Sequence, residues 1–204
     1  MAELRKTVIR DLESDIVYVN GIAGHPISQT NYSGYPNNTE WGSPIQSKFK
    51  YFTHRTAHGA LAAGDNIIGS IRSTFNLNNA NNVVMIGVGI MFEVDDLWNK
   101  VFSIIRDGSV KLSQGEASGN RRVGCQAGAD SYSAAGEDNG STPASVNFWT
   151  FDRPGTTSTL TYNLLVTSGG AEPNFYINRT QSDSNIIACE RARSWMCMLE
   201  VSGF

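Results

Sequence analysis

The fold is decided by Asn82-Val83-Val84-Met85-Ile86-Gly87-Val88-Gly89-Ile90-Met91-Phe92, a stretch that is apolar at both of its alternating sets of positions. Its β-branched residues and two internal glycines disfavour a helix, so the stretch is predicted to be a β-strand. A strand in a two-sheet sandwich usually covers the core with one face and meets water with the other. The second apolar face must therefore be covered from outside, either by a loop or terminal segment of the same chain or by a neighbouring subunit.

Strand patterns recur from about Gln46 to the C-terminus. A second segment that is apolar on both faces, Trp195-Met196-Cys197-Met198-Leu199, lies near the end of the chain. Many short strands without a helical period predict an all-β sandwich or barrel. The other predicted strands are Phe49–Thr53, Ser70–Phe75, Lys100–Ile105, Asn147–Phe151 and Ser158–Leu164, and in the last of these Leu160, Tyr162 and Leu164 face the core while Thr159, Thr161 and Asn163 face water.

Residues 1–45 have a different composition from residues 46–204, and we interpret them as an extended N-terminal arm before one globular domain. Lys6–Arg10 and Asp15–Val19 could each form a short strand, and the stretch Pro26–Pro44 is rich in Asn, Ser, Gly and Tyr. Such a stretch cannot bury enough apolar surface to offset the entropy lost when it becomes ordered. The arm is therefore expected to be held by the domain, by a sister subunit or by a larger assembly.

The composition excludes several classes of partner. The net charge is −3, and the nearest thing to a basic patch is Arg121-Arg122, so nucleic-acid binding is not expected. No signal peptide is visible, and the longest apolar stretch, Val83–Phe92, is far shorter than the ~20 residues that span a bilayer. The protein is therefore expected to be made in a cytosol and not to associate with a membrane. Cys125, Cys189 and Cys197 are an odd number without metal-site spacing, which predicts buried free thiols.

No set of residues with catalytic or metal-binding spacing is found, and we predict a protein that is not an enzyme and takes no cofactor or metal. His54 and His58 are spaced like metal ligands on a helix, but in a strand they would lie about 13 Å apart. Glu137-Asp138-Asn139 could supply acidic oxygens for calcium or for a glycosidase, yet a solvated turn is the simpler interpretation. The loop aromatics Tyr32, Tyr35, Trp41 and Tyr132 could either stack on sugars or anchor loops to the domain or a partner.

From about Lys48 to Val201 the chain resembles a jelly-roll domain that is common in structural proteins of tailed bacteriophages, including cyanophages and other marine phages. The resemblance depends on short segments that recur together and in this order. They are Lys100–Gly108 with its Arg-Asp-Gly turn, Phe151–Ser158 followed by Leu160-Thr161-Tyr162, Phe175–Thr180, a Ser/Asp-rich loop, and Arg193–Val201. The family usually has Ser-Thr-Ile-Thr where this chain has Ser194-Trp195-Met196-Cys197, so the last strand here is unusually bulky.

The resemblance implies an antiparallel jelly-roll β-sandwich of the tumour-necrosis-factor and complement type, which forms homotrimers around a threefold axis. It places the protein on the virion surface, either as a capsid decoration (cement) protein bound to the major capsid protein or another virion protein, or as the receptor-binding tip of a short tail or head fibre that binds host glycan. The predicted trimer interface is Val84, Ile86, Val88, Ile90, Phe92, Trp195, Met196 and Met198. The predicted capsid-docking residues, all in the arm, are Tyr18, Tyr32, Tyr35 and Trp41.

Overall fold

The computed structural model describes residues 44–94, 100–112, 115, 119–128, 143–187 and 189–202. All the regular secondary structure in these ranges is β-strand. Among the described residues, no helix has the length and apolar character needed to cross a bilayer. The strands are β1 (Gln46–Phe52), β2 (Thr56–Leu61), β3 (Gly64–Phe75), β4 (Val83–Val94), β5 (Lys100–Arg106), β6 (Val110–Leu112), β7 (Gln126–Ala127), β8 (Ala144–Asp152), β9 (Leu160–Ser168), β10 (Glu172–Ile177) and β11 (Ser194–Val201).

The strands form two antiparallel sheets in the order of a jelly roll. The first sheet runs β1-β11-β4-β10-β2, with β8 paired to the other edge of β4, and the second runs β3-β9-β5-β6, with β7 also paired to β5. From β3 onward the long strands β3, β4, β5, β8, β9 and β11 alternate between the second sheet and the first, so each connection crosses from one layer to the other. This alternation is what wraps two Greek keys into one sandwich, and it confirms the predicted fold class.

Side chains at every second position fill the space between the sheets. β8 shows the period most clearly, because Val146, Phe148 and Thr150 are buried while the residues between them are exposed. Each strand predicted after residue 45 overlaps an observed strand, but the ends differ by up to six residues, as for Ser70–Phe75 within β3. Lys6–Arg10 and Asp15–Val19 lie outside the described residues. One detail was wrong: Asn163, predicted to face water, is buried, because the outer side of its strand is covered.

A buried polar cluster joins the sheets at one end of the sandwich. Arg106 Nη1 donates to both carboxylate oxygens of Asp152, at 2.7 Å each, and the Tyr162 hydroxyl donates to Asp152 Oδ2 at 2.9 Å. Burial first, and then the neighbouring Asp152 carboxylate, raise the pKa of Tyr162, so the hydroxyl remains a donor. The three residues come from three of the segments that carry the family resemblance, and the structure shows that these segments share a structural role.

A second polar cluster, centred on Asn178, holds four strands together at the opposite end. The Asn178 side-chain amide donates to the Phe52 carbonyl at 2.6 Å, and its Oδ1 accepts from the Ser194 main-chain N–H and hydroxyl at 2.7 Å. The Asn178 main-chain N–H donates to the Met91 carbonyl at 2.9 Å. Its φ of 61° lies in the left-handed region, which asparagine tolerates better than most residues. The ends of β1, β4, β10 and β11 are therefore fixed relative to one another.

Candidate functional site: the outer face of the first sheet

The structure places most of the predicted trimer-interface side chains inside the single chain. Seven of the eight belong to the hydrophobic core between the sheets, so their assignment to a subunit interface was wrong. The seven are Val84, Ile86, Val88, Ile90, Phe92, Met196 and Met198. Trp195, the eighth, alternates with them on β11 and lies half-buried on the outer face. The second apolar face of these strands is therefore made of the intervening residues.

The outer face of the first sheet is built from three cross-strand rows that run over β1, β11, β4 and β8. Strand registers place one residue from each strand in every row. The rows are Ser47/Leu199/Met85/Phe151, Phe49/Cys197/Gly87/Trp149 and Tyr51/Trp195/Gly89/Asn147. None of these positions holds a charged side chain. We call this surface the aromatic face.

Large aromatic side chains on this face are exposed in the isolated chain. Phe49, Tyr51, Trp149 and Phe151 keep 51–58% of their surface accessible. The rings of Phe49 and Trp195 stack at a centroid distance of 5.7 Å, and Phe49 and Tyr51 lie 4.7 Å apart. Monomeric soluble proteins rarely leave a contiguous uncharged patch of this kind in water. The outer residues of β4 and β11 are themselves buried or half-buried, so the exposed apolar area of this face lies on the flanking strands β1 and β8.

The two glycines of β4 make room for two tryptophans. A Cβ on Gly87 would lie 2.7 Å from Trp149 Cη2, and a Cβ on Gly89 would overlap the indole of Trp195. Both indoles therefore lie flat across the β4 backbone. The glycines were visible in the sequence as helix-breaking residues, but their pairing with tryptophans from β8 and β11 depends on the register of three strands.

Charged side chains of the edge strand β1 are directed away from the aromatic face. Lys48 Nζ donates to the Thr74 carbonyl at 2.7 Å, and Lys50 Nζ donates to the Arg72 carbonyl at 2.8 Å, so both lysines reach towards β3 in the other sheet. A lysine that pointed outward would deter association at this edge. The aromatic face thus extends to the edge of the sheet without a charge.

The cysteines are free, as predicted, but each of the three is half-buried instead of buried. Cys197 lies in the middle row of the aromatic face, and burial raises the pKa of its thiol. In the described residues no group of three His, Cys, Asp or Glu side chains could hold a metal ion. The remaining predicted site residues lie outside the described residues: Tyr18, Tyr32, Tyr35, Trp41, Tyr132 and Glu137-Asp138-Asn139.

Comparison with known proteins finds similarity among solved structures, but not among family models or curated sequences. No family model matches the sequence. No curated protein matches it either. Among solved structures, the chain is similar to the crystal structure of the infectious bursal disease virus VP2 subviral particle, with a TM-score of 0.30 and 11% sequence identity. That match covers 79% of this chain and 39% of the other, so this chain spans less than half the length of the VP2 chain.

Proposed function

We propose that the protein is a non-enzymatic virion structural protein of a tailed bacteriophage, a homotrimer that decorates and cements the capsid. The observation that carries the proposal is the uncharged aromatic face on one side of the sandwich. The jelly-roll trimers that the chain resembles pack inner-sheet strands of three subunits around a threefold axis, and we assign that role to the first sheet because it has the aromatic face. A cement protein acts by adding buried area across capsid joints, and it needs an oligomer with a stable shape to do so.

The composition of the face matches a protein–protein interface more closely than a solvent-facing sheet. Aromatic residues and methionine are enriched in interface cores, whereas charged residues are depleted there. The face has Trp149, Trp195, Tyr51 and two phenylalanines, and tryptophan and tyrosine are among the residues that contribute most to binding energy. A threefold arrangement allows each copy to cover part of the face of the next, which closes the assembly without exposing the patch.

The oligomeric state can be tested with one charge placed on the aromatic face. Phe151→Glu puts a carboxylate in the outermost row, where it would have to be desolvated inside the interface. We expect the wild-type protein to elute in size-exclusion chromatography with light scattering at three times its 22.2 kDa chain mass. Phe151→Glu should elute as a monomer with an unchanged circular dichroism spectrum.

Ile67→Glu is the matched control, because Ile67 is 42% exposed on the outer face of the second sheet. This variant should remain trimeric. A wild-type protein that is monomeric at every concentration, or an Ile67→Glu variant that dissociates as readily as Phe151→Glu, would contradict self-association through the aromatic face.

The particle assignment has a separate test. Densitometry of purified virions should show hundreds of copies of a cement protein, whereas a fibre tip would be present in a few dozen copies. Deleting residues 1–45 should leave trimers intact and abolish attachment to the particle, because the arm is proposed to make the capsid contact. A truncated protein that is monomeric would show instead that the arm holds the trimer together.

The second candidate function is the receptor-binding tip of a short tail or head fibre that binds host glycan. A cavity lined by three arginines at one end of the sandwich favours it, since a cement protein needs no concave site for a small ligand. Both candidates use the same trimer, so copy number on the particle distinguishes them.

A further inference from the structure

Four arginines converge at the end of the sandwich where β1 ends and β11 begins. They are Arg55, Arg179, Arg191 and Arg193. Three of them contact a single carboxylate, Asp183: the distances to its oxygens are 2.8 Å from Arg191 Nη2, 3.3 Å from Arg55 Nη1 and 3.5 Å from Arg179 Nη1. The sequence showed no basic patch here, because Arg55 is far from the other three along the chain.

The cluster holds more positive charge than its carboxylates neutralise. Burial opposes ionisation of Asp183, but the hydrogen bond from Arg191 and the charges of the surrounding arginines outweigh it and lower the pKa of Asp183. Even when Glu190, the neighbour of Arg191 in sequence, is counted, the arginines exceed the acids in a chain whose net charge is −3. Arg193 makes no hydrogen bond or ion pair with any residue in the described ranges. Its guanidinium is available to a ligand.

A preformed cavity lies beside these arginines. Its volume is about 420 Å³. It is lined by Thr53, Arg55, Asn178, Arg191, Ala192 and Arg193. The hydrogen bonds of Asn178 to Phe52 and Ser194 fix the segments on both sides of the cavity, so the lining residues need little rearrangement when a ligand binds.

We propose that this cavity binds an acidic saccharide unit, with the sugar carboxylate held between Arg191 and Arg193. A guanidinium presents parallel N–H donors that match the two oxygens of a carboxylate. Arg191 is already oriented by Asp183, through Nε at 3.0 Å and Nη2 at 2.8 Å. Thr53 lines the same cavity and has a hydroxyl that can bond a ring hydroxyl.

The size of the cavity favours a sugar over the acidic side chain of a protein partner. Small ligands occupy concave sites of about 300–1,000 Å³, whereas one aspartate or glutamate side chain would fill only a part of this open cavity of about 420 Å³. A sugar ring also uses the hydroxyl and the apolar Ala192 on the cavity wall, which a free phosphate would leave unused. The inference does not depend on trimerisation, because every lining residue comes from one chain.

The test is isothermal titration calorimetry of the full chain with D-glucuronate, and with D-glucose as the uncharged analogue. We expect glucuronate to bind with a Kd in the range of about 1 mM that is typical of a weak single-site ligand, and glucose to show no heat. Arg193→Ala removes a charge-assisted contact without removing any bond within the described chain, so affinity should fall at least about tenfold. Arg191→Lys keeps the positive charge but removes the parallel N–H donors of the guanidinium, so the loss of affinity should be smaller than in Arg193→Ala.

Arg72→Ala is the matched control, since Arg72 is an exposed arginine on β3 in the other sheet; it should bind glucuronate like the wild type. Inorganic phosphate and a hexaglutamate peptide are titrated in parallel. No detectable glucuronate binding, equal binding of glucose, or an equal loss in Arg72→Ala would overturn the proposal. Phosphate binding as tightly as glucuronate would show a simple anion site, and tighter binding of hexaglutamate would show a protein-docking site; either result also overturns it. Light scattering on the same samples reports the oligomeric state, so failure here is distinguishable from failure of the trimer.

Discussion

The outer faces of the two sheets differ in how much of their apolar surface is buried. On the outer side of the second sheet, Leu165 is fully buried and Ile105 nearly so, although neither belongs to the core between the sheets. A segment of the same chain lies against this face, where Gly124 packs closely on the Val101 side chain and the Ser103 hydroxyl. On the outer side of the first sheet, four aromatic residues are more than half exposed.

This difference separates the two explanations for a strand with two apolar faces. Both were open at the level of the sequence: a local segment could cover the second face, or a partner subunit could. On the second sheet the same chain covers at least the β5 part of the outer face, since the segment around Gly124 lies against the Val101 and Ser103 side chains. The aromatic face has no comparable cover among the described residues, which is why a partner is proposed there.

The largest effect should come from truncating one apolar side chain on each outer face. Leu165→Ala removes a fully buried side chain and should lower the free energy of unfolding by about 2–5 kcal/mol. Phe151→Ala removes a half-exposed one and should cost about 1 kcal/mol or less. Chemical denaturation at a protein concentration low enough to dissociate oligomers would measure both. Equal losses of unfolding free energy would mean that the aromatic face is already buried by other residues of the same chain.

A smaller effect is expected from adding one methyl group to a glycine. Gly89→Ala places a Cβ where the Trp195 indole lies, and overpacking of this kind costs about 1–3 kcal/mol. Gly69→Ala on β3 meets no atom within 4 Å, so it should be neutral or stabilise by about 0.4–1 kcal/mol through the unfolded state. Thermal unfolding of the two variants would compare them directly. If Gly89→Ala matched Gly69→Ala, the indole would not be held against the β4 backbone.

The smallest expected effect is a change of folding stability with pH, and here no difference between the two outer faces is expected. Buried Glu200 accepts from Asn82 Nδ2 and Gln46 Nε2 at 2.6 Å, and from the Asn78 N–H at 2.9 Å. Burial opposes its ionisation, but these hydrogen bonds outweigh it and lower its pKa below the ordinary 4.5. A depressed carboxylate pKa stabilises the fold above the unfolded value, and this contribution is lost as the pH falls through the folded value.

Glu200→Gln should therefore reduce, by about 1 kcal/mol, the loss of stability that the wild type shows as the pH falls below the ordinary glutamate pKa of 4.5; urea denaturation at several pH values would measure it. The aromatic face has no carboxylate or amine, so the trimer should not dissociate between pH 5 and pH 7. A Glu200→Gln variant with the same acid sensitivity as the wild type would show that this network does not set the pH dependence of folding.

Much of the fold could be predicted from residue patterns, whereas little of the site could. Runs of β-branched, aromatic and other apolar residues located the long strands, and alternation showed the core-facing side only where one face is polar. The sequence could not show which alternate residues of β4 face the core, because Val84 and Met85 are equally apolar. Only pairing with β8 and β11 shows that Val84 faces the core and Met85 the outside. Tryptophans opposite glycines were the signal that could have identified the outer face.

The sequence by itself determined that the chain is an all-β sandwich with more apolar strand surface than one core can use, since that follows from local periodicity and composition. Tertiary structure alone decided which of those surfaces are covered, because burial depends on strand register and on which distant segments meet. The same reason explains two clusters of side chains that are far apart in the chain. The Arg106–Asp152–Tyr162 bridge forms only when the two sheets pack on each other. The arginine cluster forms where the segment after β1 meets the segment between β10 and β11 at one end of the first sheet.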